Sequence, residues 1–267
     1  LEKLMRVAEK NGVLLFSTAG DFFSLDLMLK LGMPLVKVSS GLMTHHPLIA
    51  RIAKTGLPMI LSTGMSYLHE VLSSLAVAEE KGSRNLMVLH CTSSYPASPE
   101  TLNLLAMRTM DEILPYPVGY SDHSLGSTAV VAACSLGACL IEKHFILDRS
   151  VPSPDRMFAA EPKEMKALVE EIRRVENMLG SGIKEPVEEE KGQRSLLRRC
   201  LMARRAILPG EVLTGEMISI KRPRPGQKGL PPSALDQIVG MRVLRPVAAN
   251  EGITLEVFGP ETKTEEP

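Results

Sequence analysis

Residues 119–126 read GYSDHSLG and follow the apolar, proline-bounded stretch Ile113–Val118. Ser121, Asp122 and His123 thus put a hydroxyl, a carboxylate and an imidazole where a buried strand should give way to a helix. The arrangement recurs along the chain. Short apolar runs at Val13–Phe16, Leu35–Val38, Pro58–Leu61, Leu86–Leu89, Pro117–Gly119 and Ala138–Ile141 have the length and bounding turn signals of strands buried on both faces. At or just after their ends stand Ser17 and Thr18; Lys37, Ser39 and Ser40; Ser62 and Thr63; His90, Thr92 and Ser93; and Glu142, Lys143 and His144.

Helical periodicity fills the intervals, among them Leu48–Lys54, Tyr67–Lys81 and Leu102–Ile113, and the chain opens inside an amphipathic helix, LEKLMRVAEKNG. The helix expected over Glu161–Leu179 carries Met165, Leu168, Val169, Ile172, Val175 and Leu179 on one face and stops at Gly180. Strand starts spaced by roughly 20 to 30 residues imply βα units on a parallel sheet. A doubly wound sheet gathers its site at one switch point, whereas a barrel brings every strand end to one mouth. Reactive residues at every strand end favour the barrel: an α/β fold of the TIM-type (β/α)8 kind, with six units present and the N-terminus missing.

That barrel is expected over 1–180. Residues 181–200 (SGIKEPVEEEKGQRSLLRRC) turn polar and charged, as a linker would. Short β-type runs at Leu201–Ala203, Met217–Lys221 and Met241–Pro246 suggest a small, mainly-β domain over 201–258, and GPETKTEEP, 259–267, reads as a disordered tail. Lys plus Arg and Asp plus Glu both number 31, which gives no overall drive toward nucleic acid or an anionic membrane. The ten basic residues between Lys191 and Lys228 have no aromatic among them to stack on bases. No apolar run reaches the roughly 20 residues of a membrane span. Cys91, Cys134, Cys139 and Cys200 lack CxxC spacing and read as reduced structural thiols in a cytoplasmic protein.

Two constellations carry chemistry. His123 and His144, from successive strand ends, could share a divalent ion with water and substrate oxygens, Asp122 or Glu142 orienting an imidazole, or could be two unrelated histidines. Lys37, Ser40, Ser62, Thr63 and Ser121 could ring a phosphate or carboxylate, or simply cap helices. His90 through Tyr95 form a stretch too polar for core; adjacent Cys91 and His90 would point to opposite faces and make a poor nucleophile pair. His45, His46 and His69 read as solvated. Tyr95 reads as a substrate-positioning hydroxyl or as loop packing.

Taken together, VKVSSG, LPMILSTGMS, LHCTSSYP, VGYSDHSLG and LIEKHF resemble the sialic acid synthase family, the N-acetylneuraminate, legionaminate and pseudaminate synthases. ILPGEVLT, IKRPRPG and IVGMRV look like the antifreeze-like (SAF) domain that follows the barrel in these enzymes. The resemblance implies condensation of phosphoenolpyruvate (PEP) with an N-acetylated sugar of the N-acetylmannosamine type, releasing phosphate. It implies that His123 and His144 bind a divalent metal, usually Mn²⁺, with Mg²⁺ or Co²⁺ as alternatives. Lys37, Ser40, Ser62 and Ser121 would contact PEP, with Thr18 near its carboxylate. Tyr95, Ser93 and Asp155 would lie near the sugar, and Arg222 would serve a partner subunit's site in a domain-swapped homodimer. Leu42 stands where the family commonly has Glu, Ser153 and Arg156 alter a PGPD-type turn, and Ala19 replaces a Pro. The family's first two βα units, which supply a catalytic Glu and a Lys, are absent. The alternatives are a truncated, non-catalytic homologue that binds or dimerises, and a barrel aldolase with Lys37 or Lys143 as Schiff-base lysine.

Overall fold

The computed structural model describes residues 1–259, Ser195 by its backbone only. The expected disordered tail lies, Gly259 apart, outside the described residues. Six strands form one wholly parallel sheet in chain order: β1 (Ser17–Thr18), β2 (Val36–Val38), β3 (Met59–Ser62), β4 (Leu86–Cys91), β5 (Val118–Asp122) and β6 (Ile141–Lys143). That order has no reversal, so it has no switch point of the doubly wound kind. The sheet also curls. Lys37 of β2 approaches Glu142 of β6 to 3.2 Å, whereas four strand spacings laid flat would separate them by about 19 Å. The result is a partial barrel with β1 and β6 as its edges.

Helices α1 (Glu2–Lys10), α2 (Phe22–Lys30), α3 (His46–Ala53), α4 (Leu68–Glu80), α5 (Leu105–Ile113), α6 (Thr128–Ser135) and α7 (Pro162–Leu179) alternate with and follow the strands. Local chemistry sets their ends. The Asp21 carboxylate accepts from Ser24 N at 2.7 Å to cap α2, and His45 Nδ1 accepts from Leu48 N to cap α3. Glu161 caps α7 ahead of Pro162, and Gly180 ends it at φ 61°.

Alternation along the strands divides two environments. Val36, Val38, Met59, Leu61, Val88, Val118 and Tyr120 share one face and join the core under the helices. Lys37, Ile60, Ser62, Leu89, Cys91, Ser121 and Glu142 share the other, which lines the lumen. A second, smaller cluster of Val130, Cys134 and Leu168 joins α6 to α7. α1 buries none of its residues, and Leu4, Val7, Val13, Leu14 and Phe16 are exposed.

The strand boundaries differ from the expected ones in a consistent direction. Val13–Phe16 precedes β1, because pairing with β2 starts at Ser17, while β4, β5 and β6 run on through His90 and Cys91, Ser121 and Asp122, and Glu142 and Lys143. A parallel ladder is built from backbone groups, and polar side chains facing a lumen do not interrupt it.

The chain divides into two compact units, 1–182 and 183–267. In the second, β7 (Cys200–Ala203) pairs antiparallel with β8 (Ile218–Lys221), and bridges such as Ile207 to Val247 and Val212 to Arg242 complete a mainly-β fold. The expected run Met241–Pro246 contributes one such bridge instead of a strand. Leu201, Ile207, Leu213, Ile218, Val243, Val247 and Ile253 form its core. The stretch expected as linker is helical over α8 (Glu188–Leu197), with three glutamates in its first turn, where the helix dipole favours them. A single-turn helix, α9 (Leu235–Ile238), completes this unit. No helix among the described residues is long and apolar enough to cross a membrane.

Candidate active site

The strand ends bring most of the expected residues to one mouth. Thr18 pairs in register with Lys37, and both side chains stand on the lumen side. Lys37 is 6% exposed; its Nζ donates to Ser62 Oγ at 2.6 Å and lies 3.2 Å from Glu142 Oε2. Ser121 Oγ donates to Glu142 Oε1 at 2.7 Å. Ser40, in the 3-10 turn Ser40–Leu42, accepts from Gly64 N at 3.0 Å and donates to Cys91 Sγ at 3.6 Å. A Cβ at Gly64 would come within 2.2 Å of Ser93 Oγ and 2.8 Å of Ser40 Oγ, so this wall of the lumen requires glycine. Ser93 Oγ is buried with no hydrogen-bond partner among the described residues.

The two histidines stand together, with ring centroids 5.1 Å apart. His123 Nδ1 lies 2.9 Å from the Thr92 carbonyl, and His144 Nδ1 lies 3.2 Å from Asp155 Oδ2. With an Nδ1 proton donated to each oxygen, both rings keep an Nε2 lone pair for an electrophile. Among the described residues no third His, Cys, Asp or Glu joins them in a metal-holding cluster. Two imidazoles with further positions left to water or substrate oxygen fit a divalent ion that retains exchangeable ligands. Tyr95 covers the pair at 4.3 Å from His123 and 6.2 Å from His144.

Phe158, 3% exposed, packs 4.9 Å from His144 and 6.1 Å from His123. Its segment returns from β6 through the Phe145–Ala160 bridge and is pinned by Arg149, which donates to the Ala159 carbonyl and to Glu164. Sequence periodicity carries no signal for this packing, because the segment is irregular. Glu142 had a signal: it lies two residues before His144 and so faces the same way. Read only as an orienter of a histidine, it instead bridges Lys37 and Ser121.

Three expectations are corrected. Asp122 orients neither imidazole. It faces the helix layer, where its carboxylate takes Lys143 Nζ at 2.6 Å and accepts from Tyr120 Oη and Ser124 N. Lys143, which also donates to the Ser124 and Gly126 carbonyls, is turned away from the lumen and cannot serve there as a Schiff-base lysine. His90 is a buried strand residue bonded to the Leu102 carbonyl at 2.8 Å, and burial holds its pKa below the ordinary value.

Cys91, read as a structural thiol, faces the lumen 3.8 Å from His123 Nδ1. Burial pushes this thiol up, but bonding from His123 and Ser40 and the charge of His123 outweigh it and leave the pKa below the ordinary value. Burial likewise opposes the His123 imidazolium, while Cys91 and the Thr92 carbonyl raise its pKa overall. Leu42 packs against the apolar core. Arg222 follows β8 in the second unit and is exposed.

Comparison with known proteins places this architecture. The NeuB family profile matches residues 1–184 and the SAF domain profile residues 198–257. The chain is 45% identical over 224 residues to an uncharacterised protein of Methanocaldococcus jannaschii, covering 84% of this chain and 66% of that one. To the N,N'-diacetyllegionaminic acid synthase of Legionella pneumophila it is 40% identical over 256 residues, covering 94% of this chain and 70% of the relative. The crystal structure of N-acetylneuraminic acid synthetase from Leptospira borgpetersenii, in complex with citrate, superposes with a TM-score of 0.69 at 34% identity, over 73% of this chain and 70% of that one. The chain thus spans about two thirds of the length of the curated relatives it matches. Profile, identity and architecture agree, and the chain belongs to the NeuB family, the sialic- and legionaminic-acid synthases among its relatives, and carries a SAF domain.

Proposed function

We propose that this chain condenses PEP with the open-chain form of an N-acetylated sugar of the N-acetylmannosamine type, giving a nonulosonic acid and inorganic phosphate. One observation carries the reading: a buried Lys-Ser-Ser cradle and two imidazoles with free Nε2 atoms open on the same lumen. Lys37, Ser40, Ser62 and Ser121 hold PEP, and Thr18 lies toward its carboxylate. Ser93, Tyr95 and Asp155 face the sugar, with Arg222 of the partner subunit added in a domain-swapped homodimer.

His123 and His144 would hold Mn²⁺, or Mg²⁺ or Co²⁺, which when bound supplies Lewis-acid polarisation of the sugar aldehyde. Asp155 keeps the His144 ring in the tautomer that leaves Nε2 free. Tyr95 and Phe158 pack their rings against the imidazole pair. C3 of PEP forms a bond to the aldehyde carbon, whose oxygen takes a proton. Water then adds to the cationic C2 with loss of a proton; the new hydroxyl becomes the C2 ketone as its proton passes to the departing phosphate, and the bond from C2 to the phosphate-bearing oxygen breaks. Positioning of PEP against the aldehyde supplies much of the rate.

A second reading, a non-catalytic homologue that binds or dimerises, is favoured by Leu42, an apolar residue packed on the core where the family commonly has Glu. Phosphate release with PEP, Mn²⁺ and N-acetylmannosamine, coupled to a colorimetric readout, separates the two. Turnover that disappears in His123→Ala/His144→Ala is the expected outcome. Intact Mn²⁺ binding without turnover supports the second reading, and calorimetric Mn²⁺ binding unchanged in the double variant would sink the histidine assignment.

A further inference from the structure

The lumen contains one carboxylate to which the proposed reaction gives no role. Glu142 projects from β6 between Lys37 and Ser121; its Oε2 lies 3.2 Å from Lys37 Nζ and its Oε1 accepts from Ser121 Oγ at 2.7 Å. Lys37 Nζ spends another donor on Ser62 Oγ at 2.6 Å. Two of the groups that would grip an incoming anion are therefore engaged by an anion the chain supplies itself. The exposure of the two partners is unequal. The Lys37 side chain is 8% exposed and that of Glu142 is 38% exposed, so the carboxylate can swing toward the mouth while the ammonium stays in place. A buried ammonium without a counter-charge is costly, and Glu142 supplies that charge to Lys37.

We propose that Glu142 is a resident ligand of the anion site and that an incoming anion binds by displacing it. The proposal rests on the reading of Lys37, Ser62 and Ser121 as anion contacts. An internal competitor leaves only a fraction of the molecules open at any moment and so divides the affinity of every anion by the same factor. Glu142 then sets a threshold: weakly held anions fall below it, and an anion with enough additional contacts to Ser40, Ser62 and Thr18 passes it. A like charge near the site can discriminate among anions only if it remains there while the anion is bound, which displacement excludes.

Titration calorimetry on the full chain tests this with inorganic phosphate, at a pH where it is mainly the dianion, and with acetate. The variants are Glu142→Gln, which keeps the shape and can still accept from Ser121, and Glu142→Ala, which removes the group. Both should bind each anion at least tenfold more tightly than the unmodified chain, and by a similar factor for phosphate and acetate. Affinities unchanged or weakened in both variants would overturn the proposal. So would a gain much larger for phosphate than for acetate, because a charge that stays and repels acts more strongly on the dianion. Lys37→Met tests the underlying reading separately: if it binds phosphate as the unmodified chain does, the anion site itself lies elsewhere.

Discussion

Replacing Lys143 with Met removes the cation from one of the most enclosed ion pairs in the barrel unit. The Lys143 side chain is 4% exposed and that of Asp122 is not exposed at all, with 2.6 Å between them. Once the ammonium is gone, the carboxylate keeps Tyr120 Oη at 3.2 Å and Ser124 N at 2.9 Å, two neutral donors for a full charge. Breaking a buried pair from one side costs about 3–5 kcal/mol, and the two surviving donors place the expectation near the lower end, about 3 kcal/mol. In a unit of this size that lowers the melting temperature by roughly 6–12 °C. The assay is thermal unfolding followed by circular dichroism for Lys143→Met, Asp122→Asn and the double variant. The double variant should lose less than the sum of the two single losses, because it leaves no unpaired charge. A loss under about 1 kcal/mol in Lys143→Met, or strict additivity in the double variant, would refute the view that this pair clamps β5 to β6 behind the histidines.

Gly64→Ala drives a Cβ onto Ser93 Oγ and Ser40 Oγ. It should cost about 1–3 kcal/mol of stability by overpacking and, through Ser40, weaken phosphate binding by calorimetry; normal binding would show that Ser40 is not part of the anion cradle. His90 is held neutral in the folded chain, its pKa lowered chiefly by burial from the ordinary 6.5. The unfolded chain therefore takes up a proton first as pH falls, so stability should decline below about pH 6.5, by at most about 1.4 kcal/mol per pH unit for this group. Urea midpoints measured between neutral and mildly acidic pH should fall less steeply in His90→Gln, and identical slopes would remove His90 from the account.

The fold was legible because its signals are local. Apolar runs bounded by turns, helical stripes and capping residues each depend on neighbours in sequence, and reactive residues after every run separated a barrel from a doubly wound sheet. The site was legible in its membership but less so in its contacts. Lys37, Ser62, Ser121, His123 and His144 do share one lumen, since alternation along parallel strands in register aims them there. The placement of Asp122 and Lys143 away from the histidines obeys the same alternation, once β5 and β6 are seen to continue through them.

What the amino-acid sequence determined alone is the order of strand and helix, the division into a barrel unit and a small β unit, and the residue types offered at each strand end. Only the tertiary structure decided who meets whom. Glu142 reaches Lys37 because the curl of the sheet brings β6 across to β2. Phe158 reaches the histidines because an irregular segment folds back and is pinned by Arg149. Cys91 meets His123 because β4 and β5 lie side by side. Each contact joins residues far apart in the chain, and no local propensity encodes a distance that only sheet curvature and strand register create.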